Sequence, residues 1–480
     1  MQPYLEPGAE VLVAGAGVTG PAVARALRTL GVRPTIADGK PAAREKAATE
    51  VPDVAVLDLE RADPSRFAAV VCAPGFRPDS PLLVAAQAAG VPVVGDVELA
   101  WQADRAGLFG APRTWLVVTG TNGKTTTTSM LEAILRRAGL AAVACGNIGR
   151  TVIDAVADPA DHRVLAIELS SFQLHWAPNI HPRAGVVLNV AEDHLDWHGS
   201  MEAYTADKAR ALRGDVAVIG LDDPVASALS GPEVTVGFTT GEPGPGQYGV
   251  RDGVLVDGSG ARILPAADVV PASPAGVADA LAAAALAAAV GVPPSTSGAA
   301  LAAFEVGGHR AQPVATVRGV IYIDDSKATN PHAARVSLSA HERVVWIAGG
   351  QLKGADVAPL VADTAPRLAG AVLLGVDAGV IAEALARHAP DVPVVRVSTG
   401  DDGDVSPVTD VARLTTVTAP SGPDAAMDVA VRAAARMAEE GGASAVLLAP
   451  AAASLDMFTS YGHRGDAFAT SARALAGERA

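Results

Sequence analysis

The sequence predicts an α/β protein built from three consecutive domains, and three observations support this prediction. A length of 480 residues corresponds to about three domains of ordinary size. Short apolar runs alternate with helical segments along most of the chain, an order typical of βαβ units and parallel sheets. Two glycine-rich turns each follow the first apolar run of such a series. We therefore expect domains over residues 1–106, 107–305 and 306–480.

The first domain is predicted to be Rossmann-like. A turn with the sequence GAGVTG, residues 15–20, joins an apolar strand to a helix that begins after Pro21, and the next strand ends at Asp38. Glycines there let the backbone approach a diphosphate, whose charge the helix N-terminus favours, and Asp38 can accept from a ribose or base. NAD or FAD, another nucleotide, and mere tight packing all remain open for this turn. The predicted strands cover 11–14, 32–37, 68–72 and 91–94.

The central domain is predicted to bind a mononucleotide in a P-loop. The strand 115–118 precedes the loop GTNGKTT, in which Lys124 can reach β- and γ-phosphate oxygens and a hydroxyl can ligate Mg²⁺. Val118 stands where the strict motif has glycine, and a structural loop is the alternative. Residues 231–274 suggest appended β-hairpins, followed by a helix over 277–290. The other strands are predicted at 141–144, 164–167, 185–188 and 216–219.

The third domain is predicted to be a second Rossmann-like α/β unit. Residues 397–424 are rich in Gly, Pro, Asp, Ser and Thr and suggest an exposed excursion. Its strands are predicted at 320–323, 344–348, 371–374 and 445–448.

Composition and charge exclude several functions. Thirty-seven Lys and Arg against 52 Asp and Glu give a net charge of −15, which disfavours binding to nucleic acid. Two cysteines fit a reducing compartment, no signal peptide is visible, and the apolar run 280–290 is too short to cross a bilayer. We expect a cytoplasmic protein without membrane insertion, and a monomer rather than an oligomer.

The two glycine-rich loops together narrow the function. A dehydrogenase needs only the first and an ATPase only the second, whereas an ATP-driven enzyme with a nucleotide-linked substrate needs both.

Further motifs make a family resemblance specific. Downstream of GTNGKTT the chain contains GNIG at 146–149, ELSSFQL at 168–174 and DHLD at 193–196. The C-terminal part adds HR at 309–310, DSKATN at 325–330, GGQLKG at 349–354, ASLD at 453–456 and RGD at 464–466. Their order and spacing resemble the Mur ligases, above all the members that add D-glutamate to UDP-N-acetylmuramoyl-L-alanine during cytoplasmic peptidoglycan precursor synthesis. The resemblance implies two stages, in which ATP phosphorylates a carboxylate and the amine of D-glutamate then attacks the acyl phosphate.

The resemblance also implies the site residues. On their own, Glu168, His194, Lys208 and Arg310 are more typical of structural or surface positions. The resemblance implies that these four residues and Lys124 are catalytic. It also implies two Mg²⁺ ions, with the ligands Thr125, Glu168, His194 and a carbamylated Lys208. The implied ATP contacts are Gly120, Thr121, Asn122, Gly123, Lys124, Thr125, Thr126, Asp279, Arg310 and Asp325. The implied UDP-substrate contacts are Val18, Thr19, Asp38, Ala73, Pro74, Gly75, Asn147, Ser170 and His194. The implied amino-acid contacts are Lys327, Thr329, Lys353, Ser454 and Tyr461.

Several positions depart from the family pattern. Ala73 stands where serine is common, and Asp279 replaces an amide thought to read adenine, which puts adenine recognition in doubt. Three alternatives stay open: a Mur-type ligase for another amino acid or acceptor, a silent nucleotide-binding module suggested by the substitutions at 275–279, and a nicotinamide oxidoreductase using residues 15–38.

Overall fold

The computed structural model describes residues 2–160, 162–231, 233–305, 307–399 and 414–478. The chain forms two compact units, one of residues 1–190 with 197–304 and the other of 191–196 with 305–480. Mixed α/β architecture with mainly parallel sheets is found in both, which confirms the predicted fold class.

The first sheet has five parallel strands in the order β3-β2-β1-β4-β5. The order reverses between β1 and β4, and ligands of such sheets bind outside the strand ends at this reversal. The strands are β1 (Glu10–Ala14), β2 (Arg33–Asp38), β3 (Ala55–Asp58), β4 (Ala69–Cys72) and β5 (Val93–Gly95), and the helices are α1 (Thr19–Thr29), α2 (Pro41–Glu50), α3 (Pro81–Ala88) and α4 (Asp96–Arg105).

The second sheet has six parallel strands in the order β11-β10-β9-β6-β8-β7, with a separate antiparallel sheet β12-β13-β14. The strands are β6 (Thr114–Thr119), β7 (Ala142–Gly146), β8 (Val164–Glu168), β9 (Ala184–Val187), β10 (Val216–Gly220), β11 (Val234–Phe238), β12 (Gly249–Arg251), β13 (Val254–Val256) and β14 (Arg262–Pro265). The helices are α5 (Lys124–Arg137), α6 (Val152–Ala157), α7 (Ser171–His175), α8 (Leu195–His198), α9 (Met201–Ala209), α10 (Pro274–Ala288) and α11 (Pro294–Leu301).

The third sheet has seven strands in the order β15-β16-β21-β17-β18-β19-β20, parallel except for the β15–β16 pair. The strands are β15 (Gln312–Val317), β16 (Val320–Asp324), β17 (Val344–Gly349), β18 (Leu368–Leu374), β19 (Val394–Thr399), β20 (Leu414–Ala419) and β21 (Ala445–Leu448). The helices are α12 (Pro331–Ser339), α13 (Ala358–Thr364), α14 (Ala378–His388), α15 (Pro423–Gly441) and α16 (Tyr461–Glu478).

One hydrophobic cluster joins the first two sheets. Leu27 of α1 and Val97 of α4 belong to the same buried cluster as Ile153 of α6 and Trp115 of β6. This shared core explains why both sheets fall within one compact unit. The predicted domain boundaries near residues 106 and 305 stay predictions.

Two element predictions were wrong in part, although residues 249–265 do form the expected antiparallel strands β12, β13 and β14. Residues 231–274 are not all hairpins, because β11 pairs in parallel with β10 in the main sheet. Residues 397–424 are not simply an excursion either: 397–399 end β19 and β20 is the edge strand of the third sheet, while 400–413 lie outside the described residues. Both β11 and β20 begin with exposed or half-buried residues, so neither shows a long apolar run.

No helix among the described residues combines the length and the apolar character that crossing a membrane requires.

Asp96, the first residue of α4, is a buried acid that gives the stability a pH dependence. Burial raises its pKa to about 7, and hydrogen bonds from backbone N–H groups at the helix start lower it less. In the unfolded chain its pKa is about 3.9. The folded state therefore keeps the proton while the unfolded state loses it, so stability falls as pH rises from about 4 to about 7 and is flat above.

We expect Asp96→Asn to remove this loss. The measured quantity is the free energy of unfolding of the variant minus that of the wild type. This difference should be more positive at pH 8 than at pH 4, by on the order of 4 kcal/mol. Urea denaturation at both pH values measures it, with the exposed Asp53→Asn as the control. A gain that does not depend on pH would contradict the account.

Candidate active site

The glycine turn of the first sheet is held by Asp38 at the end of β2. One carboxylate oxygen of Asp38 accepts from the backbone N–H of Ala16 at 2.7 Å, and the other accepts from the N–H of Lys40 at 2.7 Å. Gly15 has a φ of 107°, and a Cβ there would lie 2.8 Å from the Cβ of Ala73, so the turn after β1 and the turn after β4 touch. The predicted UDP-substrate residues of this sheet all lie at or after carboxyl ends of strands: Val18, Thr19, Asp38, Ala73, Pro74 and Gly75.

The loop 120–126 connects the central strand β6 to helix α5. Gly123 caps α5 with a left-handed φ of 83°. Asn189, just beyond β9, holds the loop, because its Oδ1 accepts from the N–H of Asn122 at 2.9 Å and its Nδ2 donates to the carbonyl of Asn122 at 3.2 Å. Lys124 Nζ donates to the carbonyls of Gly120 at 2.9 Å and Thr121 at 2.7 Å. The loop thus presents a lysine and a helix N-terminus, an arrangement that suits phosphate.

Helix α9 presents two buried side chains to the same loop. The Tyr204 hydroxyl lies 3.0 Å from Thr121 Oγ1, and Lys208 Nζ donates to the carbonyl of Gly120 at 2.8 Å. Lys208 is 1% exposed, and its Nζ lies 4.5 Å from the centre of the Tyr204 ring. Lys208 is therefore a buried cation beside the loop and not the solvated helix lysine that its sequence context alone favours.

Glu168 ends β8, directly beside β6, and is 1% exposed. Its Oε1 accepts from Asn147 Nδ2 at 2.8 Å, whereas its Oε2 is buried and has no hydrogen-bond partner among the described residues. A buried carboxylate oxygen without a donor fits a cation ligand, because leaving it unmatched costs free energy. In the described part of the chain, no three His, Cys, Asp or Glu side chains are grouped as a metal site.

Asp279 of α10 lies beside residues 120–126, the predicted phosphate loop. Its Oδ1 accepts from Thr127 Oγ1 at 3.0 Å, and a Cβ at Gly123 would clash with the same oxygen. The acid that replaces the expected amide is therefore anchored to α5, and its contact requires glycine at 123.

An Asp–His–His–Arg cluster, which we define as Asp207, His175, His198 and Arg210, was missed by sequence reasoning. Its members are separated along the chain and carry no motif, although α7, the end of α8 and α9 bring them together. Burial acts to raise the pKa of Asp207, but hydrogen bonds from His175 and His198 lower it to about 2. The carboxylate is therefore ionised at neutral pH.

In the C-terminal unit, the predicted amino-acid residues follow carboxyl ends of adjacent strands. Lys327 comes after β16 and its Nζ lies 4.0 Å from the centre of the Tyr461 ring, at the start of α16. Thr329 lies in the same loop and Lys353 in the loop after β17, where it has a left-handed φ of 55°. Ser454 follows β21 and is buried.

Arg464 of α16 ties these three loops together and was also missed as a site residue. It is 2% exposed, and its guanidinium donates to the carbonyls of Ser326, Gly349 and Ala452 at 3.0 to 3.2 Å. A planar guanidinium suits this task because its N–H groups point in several fixed directions.

Three predicted catalytic and ATP residues lie outside the larger unit. His194 belongs to the segment 191–196, has a φ of 56° and faces Asp193 Oδ2 at 3.6 Å. Arg310 and Asp325 belong to the C-terminal unit, where Asp325 Oδ1 accepts from the N–H of Ala311 at 3.2 Å and Oδ2 accepts from the Ser337 hydroxyl. Ser170 caps α7 through a capping box with Gln173, a structural task.

Comparisons with known proteins show which families and proteins this chain is similar to. Residues 118–243 match the model of the Mur ligase middle domain, and residues 9–95 match that of the Mur ligase MurD-like N-terminal domain. A UDP-N-acetylmuramoylalanine–D-glutamate ligase from Rhodococcus jostii is 60% identical over 96% of this chain and 94% of its own. Among solved structures, the MurC ligase of Thermotoga maritima is similar with a TM-score of 0.57 and 16% identity, over 97% and 99% of the two chains. The ADP complex of MurF ligase from the same organism gives 0.55 and 15%, over the full length of both.

Proposed function

Because this chain belongs to the Mur ligase family, we propose that it joins D-glutamate to UDP-N-acetylmuramoyl-L-alanine, with cleavage of ATP to ADP and phosphate. The 60% identity to a D-glutamate ligase over nearly the whole chain carries this proposal. Cytoplasmic synthesis of a peptidoglycan precursor is the proposed setting.

The reaction needs two stages because a carboxylate is a poor electrophile. Transfer of the γ-phosphoryl group of ATP to the alanyl carboxylate gives an acyl phosphate, whose phosphate can leave. The amine of D-glutamate then attacks the acyl carbon, the amide forms, and phosphate departs. The first stage brings anions together, so cationic groups must stabilise the charge of the transferring phosphoryl group.

Lys124 and the N-terminus of α5 are the groups proposed to hold the phosphates. The carbonyls of Gly120 and Thr121 hold Lys124 Nζ at the loop, which supports its proposed role as a charged donor to phosphate. Arg310 is proposed to add a second cation from the C-terminal unit when substrates bind.

Two Mg²⁺ ions are proposed on Thr125, Glu168, His194 and, once carbamylated, Lys208. The unmatched Oε2 of Glu168 supports this set. Bound Mg²⁺ supplies charge neutralisation at the phosphate oxygens. As an ammonium, Lys208 cannot ligate a cation, so its part in the set depends on carbamylation.

The remaining substrate contacts are proposed from their places at strand ends. Lys327 and Lys353 provide charge for the two carboxylates of D-glutamate, with hydroxyls from Thr329 and Ser454, while Tyr461 forms a wall beside Lys327. Val18, Thr19, Asp38, residues 73–75, Asn147 and Ser170 are proposed to contact the UDP-sugar.

The three predicted domains are proposed to divide this work. Residues 1–106 hold the UDP end, residues 107–305 bind ATP, and residues 306–480 receive the amino acid.

A coupled assay of ADP release tests the function. We expect turnover only when ATP, Mg²⁺, UDP-N-acetylmuramoyl-L-alanine and D-glutamate are all present, and no turnover with L-glutamate. Turnover with a different amino acid would identify a related ligase, and ATP binding without turnover would identify a silent nucleotide-binding module.

Carbamylation of Lys208 has its own test. We expect Lys208→Ala to lose at least about 100-fold in kcat, because the charge near the metal positions is gone, and to recover part of it with added formate or acetate. Intact mass of the wild type in bicarbonate should show an added mass of about 44 Da, since a carbamate forms by addition of CO2 to the amine. An unmodified amine in the active, liganded enzyme would refute the modification.

A further inference from the structure

The Asp–His–His–Arg cluster lies where three segments meet. His175 ends α7, the helix that follows the Glu168 strand end, His198 ends α8, and Asp207 lies in the last turn of α9. Asp207 Oδ2 contacts Nδ1 of His175 at 2.9 Å and Nδ1 of His198 at 3.1 Å. One carboxylate oxygen therefore connects all three segments.

Hydrogen bonds and an ion pair connect the side chains of the cluster. A carboxylate only accepts, so both Nδ1 atoms carry hydrogen, and Nε2 of His198 then accepts from the Ser171 hydroxyl at 2.9 Å. Arg210 faces Asp207 Oδ1 at 3.1 Å and also donates to the carbonyls of Leu174 and His175. Such a hydrogen-bonded network around a buried carboxylate has one favoured geometry and resists small displacements of its helices.

The same helix that carries Asp207 also carries the two side chains on the phosphate loop. Tyr204 and Lys208 are one turn apart on α9, so a shift of this helix moves both against Gly120 and Thr121. Nine residues are too few for a helix to keep its place by propensity alone. Aromatic contacts add to the packing, because the His198 ring stacks on Phe172 with a 4° interplanar angle and 5.5 Å between centroids.

We propose that Asp207 and His175 are positioning residues for the ligase reaction, which hold α9 so that Tyr204 and Lys208 stay on the phosphate loop. The expected effect on the reaction rate rests on the proposed function. The role of the two residues in holding α9 in place does not. Neither residue contacts the loop itself, so both act through α9. Displacement of reacting groups by about 1 Å can cost about 100-fold in rate, which sets the scale of the effect.

Two substitutions at His175 test whether its hydrogen bond to Asp207 or only its volume is needed. The Nδ2 of asparagine lies where Nδ1 of histidine does, so His175→Asn keeps a donor for Asp207, whereas His175→Leu keeps volume without a donor. We expect His175→Leu to lower kcat at least about 10-fold with an unchanged KM for D-glutamate, and His175→Asn to keep kcat within about 3-fold. Asp207→Asn should behave like His175→Leu, because one amide oxygen cannot accept from three donors.

Asp215 provides the matched control. It also bonds a histidine and an arginine, His181 at 3.1 Å and Arg183 at 2.9 Å, but it directly precedes β10 at the opposite end of the sheet. Asp215→Asn is expected to leave kcat unchanged. Hydrogen exchange adds a readout that needs no turnover: amides of 201–209 should exchange faster in His175→Leu and not in His175→Asn.

Two results would overturn the inference. One is equal kcat and equal exchange at 201–209 in the two His175 variants; the other is wild-type kcat in Asp207→Asn. Absence of D-glutamate-dependent turnover in the wild type would instead refute the proposed function, and the exchange comparison would still decide whether the cluster holds α9.

Discussion

Lys124→Met lowers kcat for D-glutamate-dependent ADP release by about 1,000-fold or more, if the loop 120–126 holds the phosphates of ATP. The methionine fills the same space but removes the only side-chain cation that the loop contributes. The carbonyls of Gly120 and Thr121 also lose the Lys124 Nζ donor, although that of Gly120 keeps Lys208 Nζ, so the loop loses part of its internal bonding. We expect ATP affinity to fall as well, since the charge interacts with ground-state phosphates.

Lys46→Met is the matched control for this variant. Lys46 is exposed on α2, where its Nζ forms an ion pair with the carboxylate of Glu50 at 3.7 Å. Steady-state kinetics with isothermal titration of ATP provide both readouts. Wild-type turnover in Lys124→Met would exclude this loop as the phosphate site.

Glu168→Gln lowers kcat by about 100- to 1,000-fold without lowering the melting temperature. The amide oxygen of glutamine can still accept from Asn147 Nδ2, so the bond at 2.8 Å survives. The other oxygen, unmatched and buried in the wild type, becomes a neutral NH₂ group that cannot ligate a cation. Removal of an unmatched buried charge is neutral or stabilising for the fold, while a cation site is lost.

The measurement combines Mg²⁺ titration of the rate with thermal unfolding. Glu132→Gln is the control, because Glu132 Oε1 also accepts a hydrogen bond in the same unit, from the N–H of Ala144 at 3.1 Å. A Glu168→Gln variant that unfolds at lower temperature but keeps its Mg²⁺ dependence would show that the carboxylate is structural.

The sequence predicted the elements whose side chains are buried on both faces. Val11–Ala14 and Val117–Val118 are fully buried and form apolar runs that reveal β1 and β6 directly. Strand β3 escaped because three of its four residues are half-buried and one is exposed, so the run is weak. Edge strands such as β20 bury little and therefore resemble loops in sequence.

In the candidate site, the residues that the sequence predicted are contiguous, and those that it missed are dispersed along the chain. Loop 120–126 was predictable because a phosphate loop requires glycines, a lysine and hydroxyls at fixed spacing on a short segment. Asn189 and Tyr204, which hold that loop, come from other strands and helices, and single polar residues there carry no spacing signal. His175, His198 and Asp207 are separated by 23 and 9 positions and meet only through the packing of α7, α8 and α9.

Buried charge shows the limit of sequence reading most clearly. A lysine four residues after a tyrosine on a helix is usually solvated, yet Lys208 is 1% exposed and its Nζ donates to the carbonyl of Gly120 in the predicted phosphate loop. Its burial follows from the position of α9 in the tertiary structure, which no local pattern contains.

The central claim is that ATP activates the alanyl carboxylate as an acyl phosphate before the amide forms, and isotope transfer tests it most directly. UDP-N-acetylmuramoyl-L-alanine labelled with ¹⁸O in its carboxylate is converted with D-glutamate and ATP, and the released phosphate is analysed by mass. Passage of one carboxylate oxygen to each phosphate released is the predicted result. Unlabelled phosphate alongside the new amide would contradict the account.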